Sequence, residues 1–482
     1  MNAAILLRQK VLDLAIRGKL TKREKGDEPA SALLARIVAE KEKRNAKVGR
    51  ARTSAVPQPI PDDEKPFELP NGWVWARLGE LGIWKAGGTP SRSHSEYYRN
   101  GDIPWLKTGD LNDGFISDIP EKITKRGLES TSARVNAPGS VLMAMYGATI
   151  GKLGILAIPA ATNQACCACD LLNCAEPEYL FYYLMAQRHA FIQLGGGGAQ
   201  ANISKEIIVN YQVPVPPVEE QRRIVARIKE LLAAIDTYSA AKGKISNAAD
   251  MLEKKVLDLA IRGKLTKREK GDGSAAKIID EIAADKAKRI AKKLMRKEKP
   301  LPPIMPEDKP FELPKEWFWC RFGELCAYGQ CEAVSFSGLP KNTWVLDLEE
   351  IEKDTGRLIE RKLVKDKQAT SGKHLFKKGM LLYSKLRTYL NKVLIADQDG
   401  VCTSEIIPID FHGFVDAAYA RIVLMSPYFL SYTASKDYGV KMPRVSTDDM
   451  RMAAFPLPPL AEQKRIVERV DAILAECRKI SQ

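Results

Sequence analysis

The sequence predicts an α+β protein: two globular α/β domains separated by two long antiparallel helices, pseudo-two-fold and circularly organised. Three observations carry this. Lys10 to Asp27 (KVLDLAIRGKLTKREKGD) reappears letter for letter as Lys255 to Asp272. Pro216-Pro217-Val218-Glu219-Glu220-Gln221-Arg222-Arg223-Ile224-Val225 returns near the other end as Pro458-Pro459-Leu460-Ala461-Glu462-Gln463-Lys464-Arg465-Ile466-Val467. Pro66 to Trp75 (PFELPNGWVW) returns as Pro310 to Trp319 (PFELPKEWFW). The N-terminus thus holds the second half of a central helix and the C-terminus its first half. Brought together, the ends rebuild a second copy, so the chain reads as a two-fold repeat cut inside one helix.

The central stretch places Ile224, Val225, Ile228, Leu231, Leu232 and Ile235 on one stripe of a 3.6-residue period. Pro217 and Glu219-Glu220 suit a helix N-terminus, and Gly263 suits its stop. Gly243 and the polar run around Ser246 weaken the middle and allow a kink or break. The segments follow as an N-terminal half-helix (1–27), a charged helix and Pro-rich linker (28–65), domain 1 (66–217), the central helix (218–272), a basic helix and linker (273–309), domain 2 (310–459) and the C-terminal half-helix (460–482). In the basic helix Lys286, Lys288, Arg289, Lys292, Lys293, Arg296, Lys297 and Lys299 face only Asp285 and Glu298, which fits phosphate neutralisation or a solvated face. The paired tryptophans after each Leu-Pro turn should pin a strand into a core.

Between these repeats the halves diverge. Gly139-Ser140-Val141-Leu142-Met143 aligns with Gly379-Met380-Leu381-Leu382-Tyr383, and Asn163-Gln164 with Ser404-Glu405. Gln200-Ala201-Asn202-Ile203-Ser204 aligns with Met442-Pro443-Arg444-Val445-Ser446. A retained frame with altered polar side chains is what two domains reading different targets would show.

The net charge of +15, from 75 Lys+Arg against 60 Asp+Glu, favours a polyanionic partner such as DNA or RNA. No apolar run spans a membrane and no signal-peptide pattern opens the chain, so a cytoplasmic location is expected. Cys166, Cys167, Cys169 and Cys174 lack paired zinc spacing, and buried strand cysteines are the preferred reading. Gly147 to Lys152 is one residue short of a phosphate loop and Leu153 follows the lysine. The glycine run Gly195 to Gly198 lacks a dinucleotide-binding setting. His94, His189, His374 and His412 stand in no metal or triad spacing, so no catalytic constellation and no metal site is expected.

Together these residues resemble the specificity (S) subunit of type I restriction–modification systems. The resemblance rests on the duplicated L-P-x-x-W-x-W, on Gly87-Gly88-Thr89-Pro90-Ser91, and on Ile103-Pro104-Trp105-Leu106-Lys107-Thr108-Gly109-Asp110. It rests also on Gly198-Ala199-Gln200-Ala201-Asn202-Ile203-Ser204 and the twice-used P-x-P-P-x-x-E-Q-x-R-I-V. Domain 2 lacks the G-G-T-P-S and I-P-W-L-x-T-G-D runs. The resemblance implies a non-catalytic reader of double-stranded DNA, each target-recognition domain taking one half of a split site. It implies two methyltransferase subunits docked on the coiled-coil helices and a motor–nuclease subunit for cleavage. S-adenosylmethionine, and ATP with magnesium, would then sit on those partners, with no cofactor in this chain and no membrane. About 45 residues at 1.5 Å each give a spacer helix of up to about 70 Å.

Groove readout needs paired donors and acceptors. The candidates in domain 1 are Ser91, Arg92, Lys107, Thr108, Tyr146, Thr149, Lys152, Asn163, Gln164, Gln200 and Asn202. In domain 2 they are Lys385, Arg387, Tyr389, Asn391, Lys392, Ser404, Lys441 and Arg444. The lysines suit phosphates better than bases. Gln221, Arg222, Ile224, Ile228, Gln463, Arg465 and Ile466 are the candidates for partner docking. A standalone DNA-binding scaffold, or a DNA methyltransferase or nuclease, are the other readings.

Overall fold

The computed structural model describes residues 3–47, 60–196, 202–368, 372–436 and 442–481. The chain divides into two compact units, Met1–Ala241 and Lys242–Gln482. The boundary falls within one helix, Val218–Ile261. The break allowed at Gly243 does not occur. Gly243 is helical, and a glycine costs only about 1 kcal/mol against alanine, which a 44-residue helix absorbs.

In the first unit the N-terminal helix, Ala3–Ile16, lies antiparallel to the start of the central helix. Arg8 pairs with Asp236, whereas Thr21 Oγ1 donates to Glu220 at 3.1 Å. Val11, Leu12 and Ala15 pack with Ile224, Val225, Ile228 and Ile235, the stripe read from the periodicity. In the second unit the C-terminal helix, Leu460–Ser481, takes the corresponding place. Thr266 Oγ1 donates to Glu462 at 3.2 Å, and Ile466 and Val470 pack with Val256, Ala260 and Ile261.

The repeated letters earn their retention at this joint. Trp73 Nε1 donates to Glu220 at 3.0 Å, and Trp317 Nε1 to Glu462 at 2.9 Å. Glu220 and Glu462 are buried, so each carboxylate takes its donors from an indole and a threonine rather than from water. Arg223 holds the buried Asp27, and Arg465 holds Asp272 at 2.8 and 2.6 Å. Gly18 and Gly263 have φ of +65° and +64°. A Cβ on either would lie 2.4 Å from the ring of Pro70 or Pro314, so the turn and the close approach both require glycine.

Each α/β domain is closed at its base by a two-stranded antiparallel ribbon, Val74–Arg77 with Gln212–Val215 and Phe318–Arg321 with Ala454–Leu457. Above it the first domain has a five-stranded sheet in the order Ile83–Ala86, Cys166–Asp170, Val141–Ala144, Leu153–Leu156, Gly114–Ile116. A three-stranded sheet sets Ile103–Leu106 between Lys122–Ile123 and Ala161–Thr162. Cys166, Cys167 and Cys169 are buried in the first sheet, where burial pushes the Cys167 thiol up to about 12. The second domain redistributes the strands. Its three-stranded sheet centres on Leu381–Ser384, and its five-stranded sheet contains Gly400–Thr403 parallel to Trp344–Leu346.

The charged helices Ala30–Lys47 and Ala275–Ala291 pack on these domains. Lys286, one of the cations expected to meet phosphate or solvent, is a structural residue instead. Its Nζ donates to the carbonyls of Gly323 and Cys326 at 2.7 and 2.9 Å. Lys41 does the same to Gly79 and Glu80 in the first unit. Each lysine satisfies orphaned carbonyls around a four-residue helix, and burial lowers its pKa. Arg289 is engaged with Asp285 at 2.5 Å.

Candidate nucleic-acid interface

Five segments of the first domain are stitched together by backbone hydrogen bonds. Gly88 N donates to Thr162 O at 2.9 Å, and Asn163 N to Leu106 O at 2.9 Å. Met145 N donates to Ala165 O at 2.8 Å, and Ile203 N to Met145 O at 2.9 Å. Thr89 Oγ1 reaches the Gln164 side chain. The loops holding Ser91-Arg92, Lys107-Thr108, Tyr146 to Thr149, Asn163-Gln164 and Asn202 are therefore neighbours. Gly87 makes this approach possible: a Cβ there would lie 2.0 Å from Thr162 O and 2.4 Å from Asn163 O.

Within this cluster Arg92 and Lys107 share one carboxylate, Glu121, each at 2.5 Å. Burial alone would raise the Glu121 carboxyl, but its hydrogen bonds from Lys107 and Arg92 outweigh that and hold it low. Arg92 also lies over the Tyr98 ring at 4.2 Å. Tyr146, Lys152, Gln164 and Asn202 are exposed. Thr149 Oγ1 donates to Tyr146 O at 2.8 Å and closes the turn. Asn163 is half-buried, with its Oδ1 lacking a partner.

The second domain repeats the stitching. Lys385 N donates to Glu405 O at 3.0 Å, and Val445 N to Lys385 O at 3.1 Å. Tyr146 bridges Asn202 in one domain as Leu386 bridges Arg444 in the other. This register places Gln164 opposite Ser404 and Ala165 opposite Glu405, one residue off the sequence alignment above. It also gives the I-P-W-L-x-T-G-D run a counterpart in Trp344 to Glu350, where strand, 3-10 turn and capping box recur around Lys107/Asp110 and Asp347/Glu350. The charge is inverted there: Asp347 accepts from Lys367 and Lys373 at 2.5 and 3.0 Å.

Lys385, Arg387, Tyr389, Ser404 and Arg444 gather around this site, with Arg387, Tyr389, Ser404 and Arg444 exposed. Two candidates do not belong to its surface. Asn391 is buried with φ of +51° and donates to Met425 O at 3.4 Å. Lys392 donates to Leu348 O at 2.6 Å, and burial lowers its pKa. Both stabilise the loop that presents Arg387 and Tyr389. Gln200 and Lys441 lie outside the described residues.

Of the helix residues expected to meet partners, Gln221, Ile224, Ile228, Gln463 and Ile466 are buried within their own units. Gln221 accepts from Glu176 N at 3.0 Å and donates to Pro216 O at 2.9 Å. Gln463 does so with Asp416 N and Pro458 O at 2.8 and 2.9 Å. They lock the domain base to the helix. Arg465 is occupied by Asp272, while Arg222 is the exposed one. The residues that sequence reasoning passed over are Thr89, Glu121, Asp347 and Glu405. Glu405 stood in an aligned pair and Thr89 in the G-G-T-P-S run; Glu121 and Asp347 carry no pattern and are recognisable only by what they touch.

Among the described residues no group of three or more His, Cys, Asp or Glu could hold a metal ion. No helix of them is long and apolar enough to cross a membrane. The family profile of the type I restriction modification DNA specificity domain matches residues 70–246 and 314–482. The chain belongs to this family. As a type I specificity subunit it has a non-catalytic DNA-recognition role. It is 25% identical to the EcoAI specificity subunit of Escherichia coli over 545 aligned positions, covering 98% of this chain and 89% of that one. The EcoEI specificity subunit of E. coli is also 25% identical, with the same coverage.

Two solved structures share the specificity-subunit fold. One comes from work on complex assembly and conformational transition of the type I R-M system. It has a TM-score of 0.59 at 18% identity over 86% of this chain and 93% of that chain. The other is the HsdS subunit from Thermoanaerobacter tengcongensis, with a TM-score of 0.51 at 20% identity and the same coverage. Type I systems combine specificity, methyltransferase and restriction subunits on double-stranded DNA.

Proposed function

We propose that this specificity subunit reads a split duplex target, each unit taking one half-site through its stitched loops. The observation carrying this reading is the repetition of one backbone cradle in both units with different side chains on it. Asn163, Gln164 and Asn202 line one; Ser404, Glu405 and Arg444 line the other. A shared frame with unlike donors and acceptors reads unlike base pairs by one docking geometry. Lys107, Lys152 and Lys385 supply phosphate contacts around each cradle.

The long helices bind two methyltransferase subunits, which bring S-adenosylmethionine, and a motor–nuclease subunit joins with ATP and magnesium. Docking uses the exposed side of the helices around Arg222, since the inward stripe is occupied. The number of residues in Val218–Ile261 sets the gap between half-sites. Selection of DNA with random half-sites and spacers by the subunit bound to its methyltransferase partners tests the proposal. A bipartite motif, with Arg387→Ala weakening one half only, is expected. An unsplit motif, or equal loss at both halves, overturns it.

A further inference from the structure

Arg444 and Glu405 form a pair with a consequence for which base the second unit reads. The Glu405 carboxylate accepts from Arg444 Nε at 3.2 and 3.1 Å and from Nη2 at 2.9 Å. The side edge of the guanidinium is therefore taken. A guanidinium carries five N–H donors in a planar fork. With Nε–H and one Nη2–H used, the end edge keeps one Nη1–H and one Nη2–H pointing forward in parallel. No described partner takes Nη1. That end edge matches the O6 and N7 acceptors of guanine in the major groove. Arg444 remains partly exposed, and its hydrogen bond to Glu405 holds the carboxyl below its usual range, so the pair stays ionised.

The backbone around it is fixed as well. Leu386 bridges Arg444, Arg387 N donates to Pro443 O at 2.8 Å, and Val445 N donates to Lys385 O at 3.1 Å. Both the segment carrying the arginine and the carboxylate aiming it are held before DNA arrives, which lowers the ordering cost of the contact.

The same rung in the first unit carries Asn202 opposite Tyr146, and the position equivalent to Glu405 is Ala165. The two positions change together: an arginine comes with a carboxylate to aim it, while an asparagine, short and uncharged, comes with a methyl group. An asparagine amide at that rung matches adenine N6 and N7.

We propose that Arg444, aimed by Glu405, reads a guanine in the half-site of the second unit, and that Asn202 reads an adenine at the corresponding place in the other. Arg444 and Asn202 are specificity-determining residues; Glu405 is a positioning residue. This rests on the half-site reading above.

The test uses the full chain assembled with its methyltransferase subunits and selects from duplexes with both half-sites randomised. The wild-type motif should show one guanine in the half-site that Arg444→Ala weakens, preferred about 5- to 150-fold over other bases. Arg444→Asn should move that position toward adenine and leave the other half-site intact. Glu405→Gln removes the charge but keeps the shape; it should retain the motif while flattening the preference at that one base pair. If Arg444→Asn fails to assemble, Glu405→Gln and the wild-type motif still decide. A bipartite motif with no guanine answering to Arg444, or one unchanged by both substitutions, overturns this inference and leaves the half-site reading standing. An unsplit motif removes both.

Discussion

The indole of Trp317 donates to the buried carboxylate of Glu462 at 2.9 Å, tying the start of a recognition domain to the first turn of the C-terminal helix. Trp317→Phe leaves Glu462 with Thr266 as its remaining side-chain donor. A buried acceptor stripped of a partner costs about 1–3 kcal/mol. Urea unfolding should show a loss in that range, whereas Glu219→Gln, at an exposed position, should change stability by less than about 0.5 kcal/mol.

Acid should weaken the joints. The Arg223 hydrogen bond holds the Asp27 carboxyl below its usual range, and Arg465 does the same for Asp272. A carboxyl whose folded pKa is depressed contributes stability that is complete above its unfolded value, about 3.9, and lost as pH falls through the folded value. The urea midpoint should be flat above about pH 5 and decline below about pH 4. Asp27→Asn should lower the plateau and flatten part of that decline.

Lys286 separates a structural cation from a phosphate-binding one. Lys286→Ala frees the carbonyls of Gly323 and Cys326, and should lower the melting temperature of the second unit. The slope of log binding constant against log salt should stay unchanged. Removing a lysine that touches phosphate would reduce that slope by about 0.9.

Gly87→Ala puts a methyl group 2.0 Å from Thr162 O. The backbone contact that joins the loops of Gly88 and Asn163 has to open. Binding competition should show loss of selectivity at the half-site of the first unit, with the other half-site still discriminated.

Gly243→Ala tests the central helix. A Cβ there meets no atom within 4 Å, and Gly243 lies well inside the helix. The substitution should stabilise the protein by about 0.5–1 kcal/mol in urea unfolding, through helix propensity and a less flexible unfolded chain.

The two-fold frame is legible in the letters alone. Identical letters at Lys10 to Asp27 and Lys255 to Asp272 must fold alike when they meet alike partners, and the 3.6-residue stripe from Ile224 to Ile235 can only face inward. The letters also marked most segments of the stitched loop cluster, because the altered polar residues stood inside retained flanks. Which side chains point out of that cluster follows from the folded contacts and not from the letters. Asn391 and Lys392 sit in the same short run as Arg387 and Tyr389, yet a left-handed turn at Asn391 and the Leu348 carbonyl draw the first two inward. Gln463 reads as an exposed helix polar residue until the N–H of Asp416, 47 positions away, is found upon it. Glu405 gains its meaning from Arg444, 39 positions on. Burial and hydrogen-bond partnership are properties of pairs distant in the chain, and a one-dimensional pattern records only one member of each.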